Sequence, residues 1–199
     1  MGIQTGSKRE SEEVYNRKLP LEKIRLFARA AKKLRLDVVY DVILDNPLAD
    51  FQDKSKLIDF LLTLPRPFSL FLYSLTIFPG TELSEVLLRK GLIKPQNVEG
   101  EANKSFYQFR LSFSYPREKE ELFIVCIVSL TSKSFLPKSL ISILAKSHFL
   151  KKHPLPLKWF AQICNQVKLL GVLLKMLREG TLNIWKFKEY GLPRRFLIQ

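Results

Sequence analysis

The chain has 199 residues and a net charge of +14, with 46% hydrophobic and 26% charged residues. This is long enough for one core of ordinary size and argues against a disordered chain. Two cysteines (Cys126, Cys164) and two histidines (His148, His153) argue against a disulfide scaffold and a self-contained metal site, so a reducing, cytoplasmic setting is expected.

The N-terminal stretch MGIQTGSKRESEE has no apolar leader region and misses the myristoylation spacing. A helix is expected from Ser7 to Arg17, with Ser7 as cap and Glu10 completing a capping box. Leu19-Pro20 interrupts it. A second helix is expected over Leu21–Leu34, with an apolar stripe at 21, 24, 27, 28, 31 and 34. Asp37–Leu44 is nearly continuous in apolar character, as in a buried parallel strand, and Asn46-Pro47 ends it. Phe51–Leu64 is an amphipathic helix stopped by Pro65. Phe68–Phe78 is a second buried strand, ended by Pro79-Gly80. Thr81 caps a helix running to about Lys90, and Gly91 stands at its C-terminal cap. Strands about 30 residues apart with helices between them imply parallel βαβ units. Two strands cannot make a stable parallel sheet alone, so other strands must complete it.

The second half changes character. A polar loop is expected over 95–104 and a strand or extended segment over Ser105–Tyr115. Helices are expected from Arg117 to Thr131 and from Pro137 to near His148, then a linker over Lys151–Pro156. The longest helical pattern runs from Leu157 to Arg178 and ends at Gly180. Lys158, Lys168 and Lys175 argue against its crossing a membrane. Tyr190–Gln199 reads as a tail. Residues 151–199 hold 10 Lys+Arg against 2 Asp+Glu, which suits a solvated helix face, nucleic acid, an anionic membrane or an acidic partner.

Three motifs carry a resemblance. Gly2-Ile3-Gln4-Thr5-Gly6-Ser7, followed by Tyr15-Asn16-Arg17, is similar to the fourth strand and following helix of radical S-adenosylmethionine (radical SAM) enzymes. Tyr40 to Pro47 (YDVILDNP) resembles their fifth strand. Tyr73 to Leu83 (YSLTIFPGTEL) resembles the sixth, with Gly91-Leu92-Ile93 at the usual place. The branch that carries a cobalamin-binding domain is closest in style. The resemblance covers residues 1–94 and implies an α/β fold: the C-terminal portion of a partial (β/α)6 barrel, followed over 95–199 by a mainly helical extension with a basic tail.

It also implies a cofactor site. Gln4 and Asp41 would approach the ribose and methionine of S-adenosylmethionine, Arg17 its carboxylate, and backbone near Ser74 its adenine. Barrel sites lie at the C-terminal ends of strands, where an amide, a carboxylate and a guanidinium can meet a zwitterion and a diol. On the bland side, Asp45 makes a turn with Asn46-Pro47. Phe106, Tyr107, Phe109, Phe113 and Tyr115 are core aromatics, Cys126 is a packed thiol, and both histidines are surface residues.

The family's chemistry needs a CxxxCxxC loop holding a [4Fe–4S] cluster, and this sequence contains none. The expectation is a C-terminal fragment of a radical SAM enzyme, inactive alone, whose missing N-terminal barrel half comes from the same gene or a separate subunit. The alternatives are a subunit of a split enzyme, or a non-catalytic module whose basic helical tail binds nucleic acid or anionic membrane. A parallel half-sheet is also expected to expose a strand edge and apolar surface.

Overall fold

A computed structural model of the chain describes residues 1–18, 20–95, 98 and 117–180. The expected segment Ser105–Tyr115, most of the 95–104 loop and the Tyr190–Gln199 tail lie outside the described residues. Three strands, β1 (Gly2–Gln4), β2 (Val39–Leu44) and β3 (Ser69–Ser74), form a parallel sheet in the order β1-β2-β3. Val39 aligns with Ser69 and Leu44 with Ser74, while Gly2 and Gln4 align with Asp41 and Val42 across a register irregularity.

Alternation along β2 sorts its side chains. Tyr40, Val42 and Leu44 are buried, while Val39, Asp41 and Ile43 are half-buried on the other face. On β3, Leu70 and Leu72 pack on the core, and Phe71 and Tyr73 make an edge-to-face ring contact.

Helix α1 covers only Lys8–Glu13, four residues shorter at its C-terminal end than the sequence suggests. Ser11 turns its hydroxyl onto the carbonyl of Arg17 and accepts the Arg17 N–H at 2.8 Å on its own carbonyl. Asn16 takes a left-handed backbone at φ 45°. A short polar side chain tolerates that conformation, which a helix cannot continue through.

Helix α2 (Leu21–Lys33) buries Ile24, Ala28 and Ala31. Phe27 and Leu34, placed in the same stripe by spacing, are exposed instead, together with Leu26 and Leu36. Helix α3 (Phe51–Thr63) opens on a full capping box, Asp50 with Asp53, and buries Leu57, Ile58, Phe60 and Leu61. Helix α4 (Glu82–Arg89) is capped by Thr81, and Gly91 follows it at φ 65°, the left-handed position that favours glycine.

The helical half centres on α5 (Lys119–Thr131), whose residues from Phe123 to Thr131 are all buried. A helix apolar all round must be covered all round. It packs against α3, α6 (Lys138–Ala145), α7 (His148–Lys152) and α8 (Leu155–Arg178). Lys54 of α3 pairs with Glu121, and Lys151 of α7 pairs with Glu120 at 2.9 Å while its Nζ lies over the Phe51 ring. One apolar cluster joins Ile3, Tyr40 and Leu61 to Ile124, Leu157 and Cys164, so the same core crosses residue 94.

The linker expected over Lys151–Pro156 is mostly helical. Ser147 caps α7 by accepting the Leu150 N–H at 3.3 Å, and α8 begins at Leu155 with Pro156 in its first turn. Proline is tolerated there because the first N–H groups of a helix have no partner to lose. By length and composition α8 is also apolar enough to cross a membrane, its three lysines notwithstanding.

Candidate functional site

The C-terminal ends of the three strands gather polar groups. At the end of β1, the Thr5 N–H donates to the Ile3 carbonyl at 2.8 Å, a three-residue turn centred on Gln4 at φ 63°. A positive φ is uncommon for a residue with a Cβ, and such strain concentrates at functional positions. At the end of β2, Asp45 also takes a left-handed backbone, at φ 54°. Its carboxylate accepts the Ser74 hydroxyl at 2.7 Å and the Leu75 N–H at 2.9 Å. That capture ends β3 at Ser74, four residues before the expected end, because the side chain of Asp45 takes the place of a neighbouring strand.

Behind this edge lies a hydrogen-bonded cluster built on the TGS segment. The buried Glu10 carboxylate accepts from Thr5, from Asn46 Nδ2 at 2.7 Å and from the Tyr15 hydroxyl at 3.3 Å. Burial, then the Glu10 charge, push the Tyr15 hydroxyl well above its ordinary pKa, so it stays a donor. Ser7 caps α1 and also donates to Asp53, which pairs with Arg9. Burial alone would raise the Asp53 carboxyl, but the hydrogen bonds from Arg9, Ser7 and the Asp50 N–H hold it below the usual range.

Gly6 serves proximity. A Cβ there would lie 2.4 Å from the Leu57 Cα and 2.7 Å from the Lys56 carbonyl oxygen. The strand-to-helix turn thus rests directly on the backbone of α3. A cavity of about 10 Å³ beside it is lined by Glu10, Asp45, Asn46 and Lys54. It holds about one water molecule, far less than a nucleoside.

The four residues singled out from the sequence separate in space. Gln4 and Ser74 stand at strand ends. Asp41 does not: it is the third residue of β2, its carboxylate 3.5 Å from the Met1 ammonium. The acid at the C-terminal end of β2 is Asp45, which sequence reasoning assigned to a turn. The signal was the DNP triplet after an apolar run, the place where a βα loop opens. Arg17 is exposed beyond the end of α1. Glu10 was expected to close a capping box on Ser7 and Asn46 to end the strand; instead the Ser7 N–H donates to Thr5 Oγ1 at 3.0 Å and both side chains join the buried cluster, while Asp53 carried no expectation.

At this edge Gln4 and Asp45 are half-buried, while Ser74 is buried with its hydroxyl on Asp45; an amide and a carboxylate are groups that can exchange hydrogen bonds with a diol. The cysteines do not suit an iron–sulfur cluster. Both are buried between helices, Cys126 on α5 and Cys164 on α8. Burial pushes the Cys126 thiol up to about 12 and raises that of Cys164, the opposite of what thiolate ligation needs. Among the described residues, no group of three His, Cys, Asp or Glu side chains is placed to hold a metal ion.

Together these features define a mixed α/β protein built on parallel βαβ units, with its polar groups at the C-terminal ends of the strands. No family model and no curated protein matches the chain.

Proposed function

We propose that this chain forms part of a radical SAM barrel and supplies one wall of its S-adenosylmethionine site. The cluster-bearing part would come from residues outside this sequence, on the same polypeptide or a partner, and the chain is inactive by itself. The observation that carries this reading is the uncovered side of the βα array. Among the described residues, β1 pairs only with β2. Helix α2 meets α3 on one side, where Arg25 donates to Thr63 at 3.1 Å and lies over the Phe60 ring. At about 100° per residue, Phe27 and Leu34 project from the opposite side of α2. In a βα barrel each strand and helix is flanked by a unit on either side, and a preceding unit would cover this edge and this flank together.

Within such a barrel, Gln4 and Asp45 would hydrogen-bond the cofactor's ribose, and backbone around Ser74, whose buried hydroxyl is held by Asp45, would meet its adenine. Arg17 reaches the methionine carboxylate only if the turn after α1 closes over the strand ends. When bound elsewhere in the barrel, the cluster would supply the electron for cofactor cleavage; this chain's residues orient and shield.

Amide chemical-shift mapping with S-adenosylmethionine tests the reading. The expected result is weak, millimolar and saturable binding, with shifts confined to the ends of β1, β2 and β3. Asp45→Asn should abolish it, and Arg17→Ala should weaken it. Absence of saturable shifts, or shifts that survive Asp45→Asn, overturns the proposal.

A further inference from the structure

The second half of the chain carries a surface that the barrel reading does not use. Helix α8 has two apolar sides. Leu157, Ala161 and Cys164 are buried on the body. On another side stand Trp159, Ile163, Val167, Leu170, Leu174 and Leu177, all exposed, Trp159 at 68% and Leu174 at 60%. At about 100° per residue these six fall within an arc of about 80° and form a stripe about 27 Å long. Only 11% of the helix's most apolar window is buried, so α8 is not an ordinary core helix.

Charge decides among the occupants. Between Glu121 and Glu179 the chain contains no Asp or Glu, while it carries eight Lys and one Arg. Lys152, at the end of α7 just before α8, and Lys175 and Arg178, in the last turn of α8, are exposed. A second copy seated on this stripe would set cations against cations, with only Glu179 at the helix end, 3.8 Å from Lys175, to relieve them among the described residues of the helix. Nucleic acid would meet the charges but leave an aliphatic stripe uncovered. Membrane crossing is opposed by the attached half of the helix. Leu157, Ala161 and Cys164 are buried, and Lys168 Nζ reaches Ser69 of the sheet at 3.4 Å. The remaining residues, 169–178, rise only about 15 Å, half of a hydrocarbon core. An apolar stripe with a tryptophan near one end and basic ends matches the headgroup boundary of an anionic bilayer.

We propose that α8 docks the protein on an anionic lipid surface, lying along the headgroup plane with the Trp159–Leu177 stripe as its anchor. The test is co-sedimentation of the full chain with vesicles of phosphatidylcholine, alone and mixed with phosphatidylglycerol. A Trp185→Phe background leaves Trp159 as the reporter of burial. Binding is expected to the mixed vesicles only, to fall with salt, and to shift Trp159 emission to the blue. Ile163→Gln with Leu170→Gln and Leu174→Gln should abolish it. Lys152→Gln with Lys175→Gln and Arg178→Gln should weaken it about a hundredfold. All six positions are exposed or half-exposed, and circular dichroism of each variant confirms that the fold is retained. Equal binding to neutral vesicles, binding that survives the triple Gln variant, RNA binding in place of lipid binding, or a dimer in solution that already hides Trp159 would each overturn the proposal.

Discussion

Asp53 can carry a charge inside the fold because its oxygens are occupied. Ser7, Arg9 and the Asp50 N–H all donate to it. Its pKa is depressed in the folded chain, so the stabilisation is complete above the unfolded carboxyl value of about 3.9 and is lost as pH falls through the folded value. Asp53→Asn should therefore cost about 1–3 kcal/mol at neutral pH and flatten acid unfolding below about pH 4, as followed by urea melts. Lys133 shows the opposite case. It is 5% exposed, and burial, with help from Lys168, lowers its ammonium to about 8. The unfolded chain holds the proton more tightly, so stability should rise with pH from about 8 to the ordinary lysine value of about 10.4. Lys133→Met should remove that rise and leave the protein more stable at pH 7 than the parent. At Gly6 the limit is space, and Gly6→Ala should cost about 1–3 kcal/mol or more, because backbone atoms of α3 must move.

At the scale of elements, the caps and the central helix differ in weight. Asp50 caps α3 by accepting the Asp53 N–H at 2.9 Å. Asp50→Ala should cost about 1 kcal/mol. Helix α5 has no side-chain cap, yet it joins the two halves because its apolar residues are covered on every side. Ile127→Ala there should cost about 2–5 kcal/mol, several times the cap, in the same denaturation experiment. The elements legible in the sequence were those with a strong period or a strong stop. Helices α2, α3 and α4 and strand β2 stand within a few residues of their expected limits, because proline, glycine and capping residues bound them locally. The misplaced limits have non-local causes. β3 stops at Ser74 because Asp45, 29 residues away, takes its hydrogen bonds. The 151–156 stretch became helical because α7 and α8 each found a body to pack on.

At the scale of the molecule, one core serves both halves, and among the described residues apolar surface stays outside it on α2 and on α8, with further exposed residues such as Ile143 and Phe149. The α2 surface contributes little to the chain's own stability, since it is already in water. Phe27→Gln with Leu34→Gln should leave the unfolding midpoint nearly unchanged, within about 0.5 kcal/mol. On the proposed reading it should block co-assembly with a cluster-bearing barrel part in a pull-down. If that assembly survives, the uncovered flank is not the missing unit's seat. Among the described residues β1 pairs only with β2, and that edge should make the isolated chain self-associate with rising concentration, seen by light scattering.

The sequence by itself determined the alternation of helix and strand, the parallel βαβ order and the basic C-terminal half. These follow from apolar period, local stops and charge counts, which are properties of short stretches. It also placed Gln4 at the close of the first short strand, but it ran β3 on to Phe78, so the strand end at Ser74 was not visible locally. Only the tertiary structure decided that Asp45 holds Ser74, since a contact between residues 29 positions apart is set by pairing across the sheet. Only it decided which apolar side of α8 is covered, because a helix apolar on two sides does not announce which one meets the core.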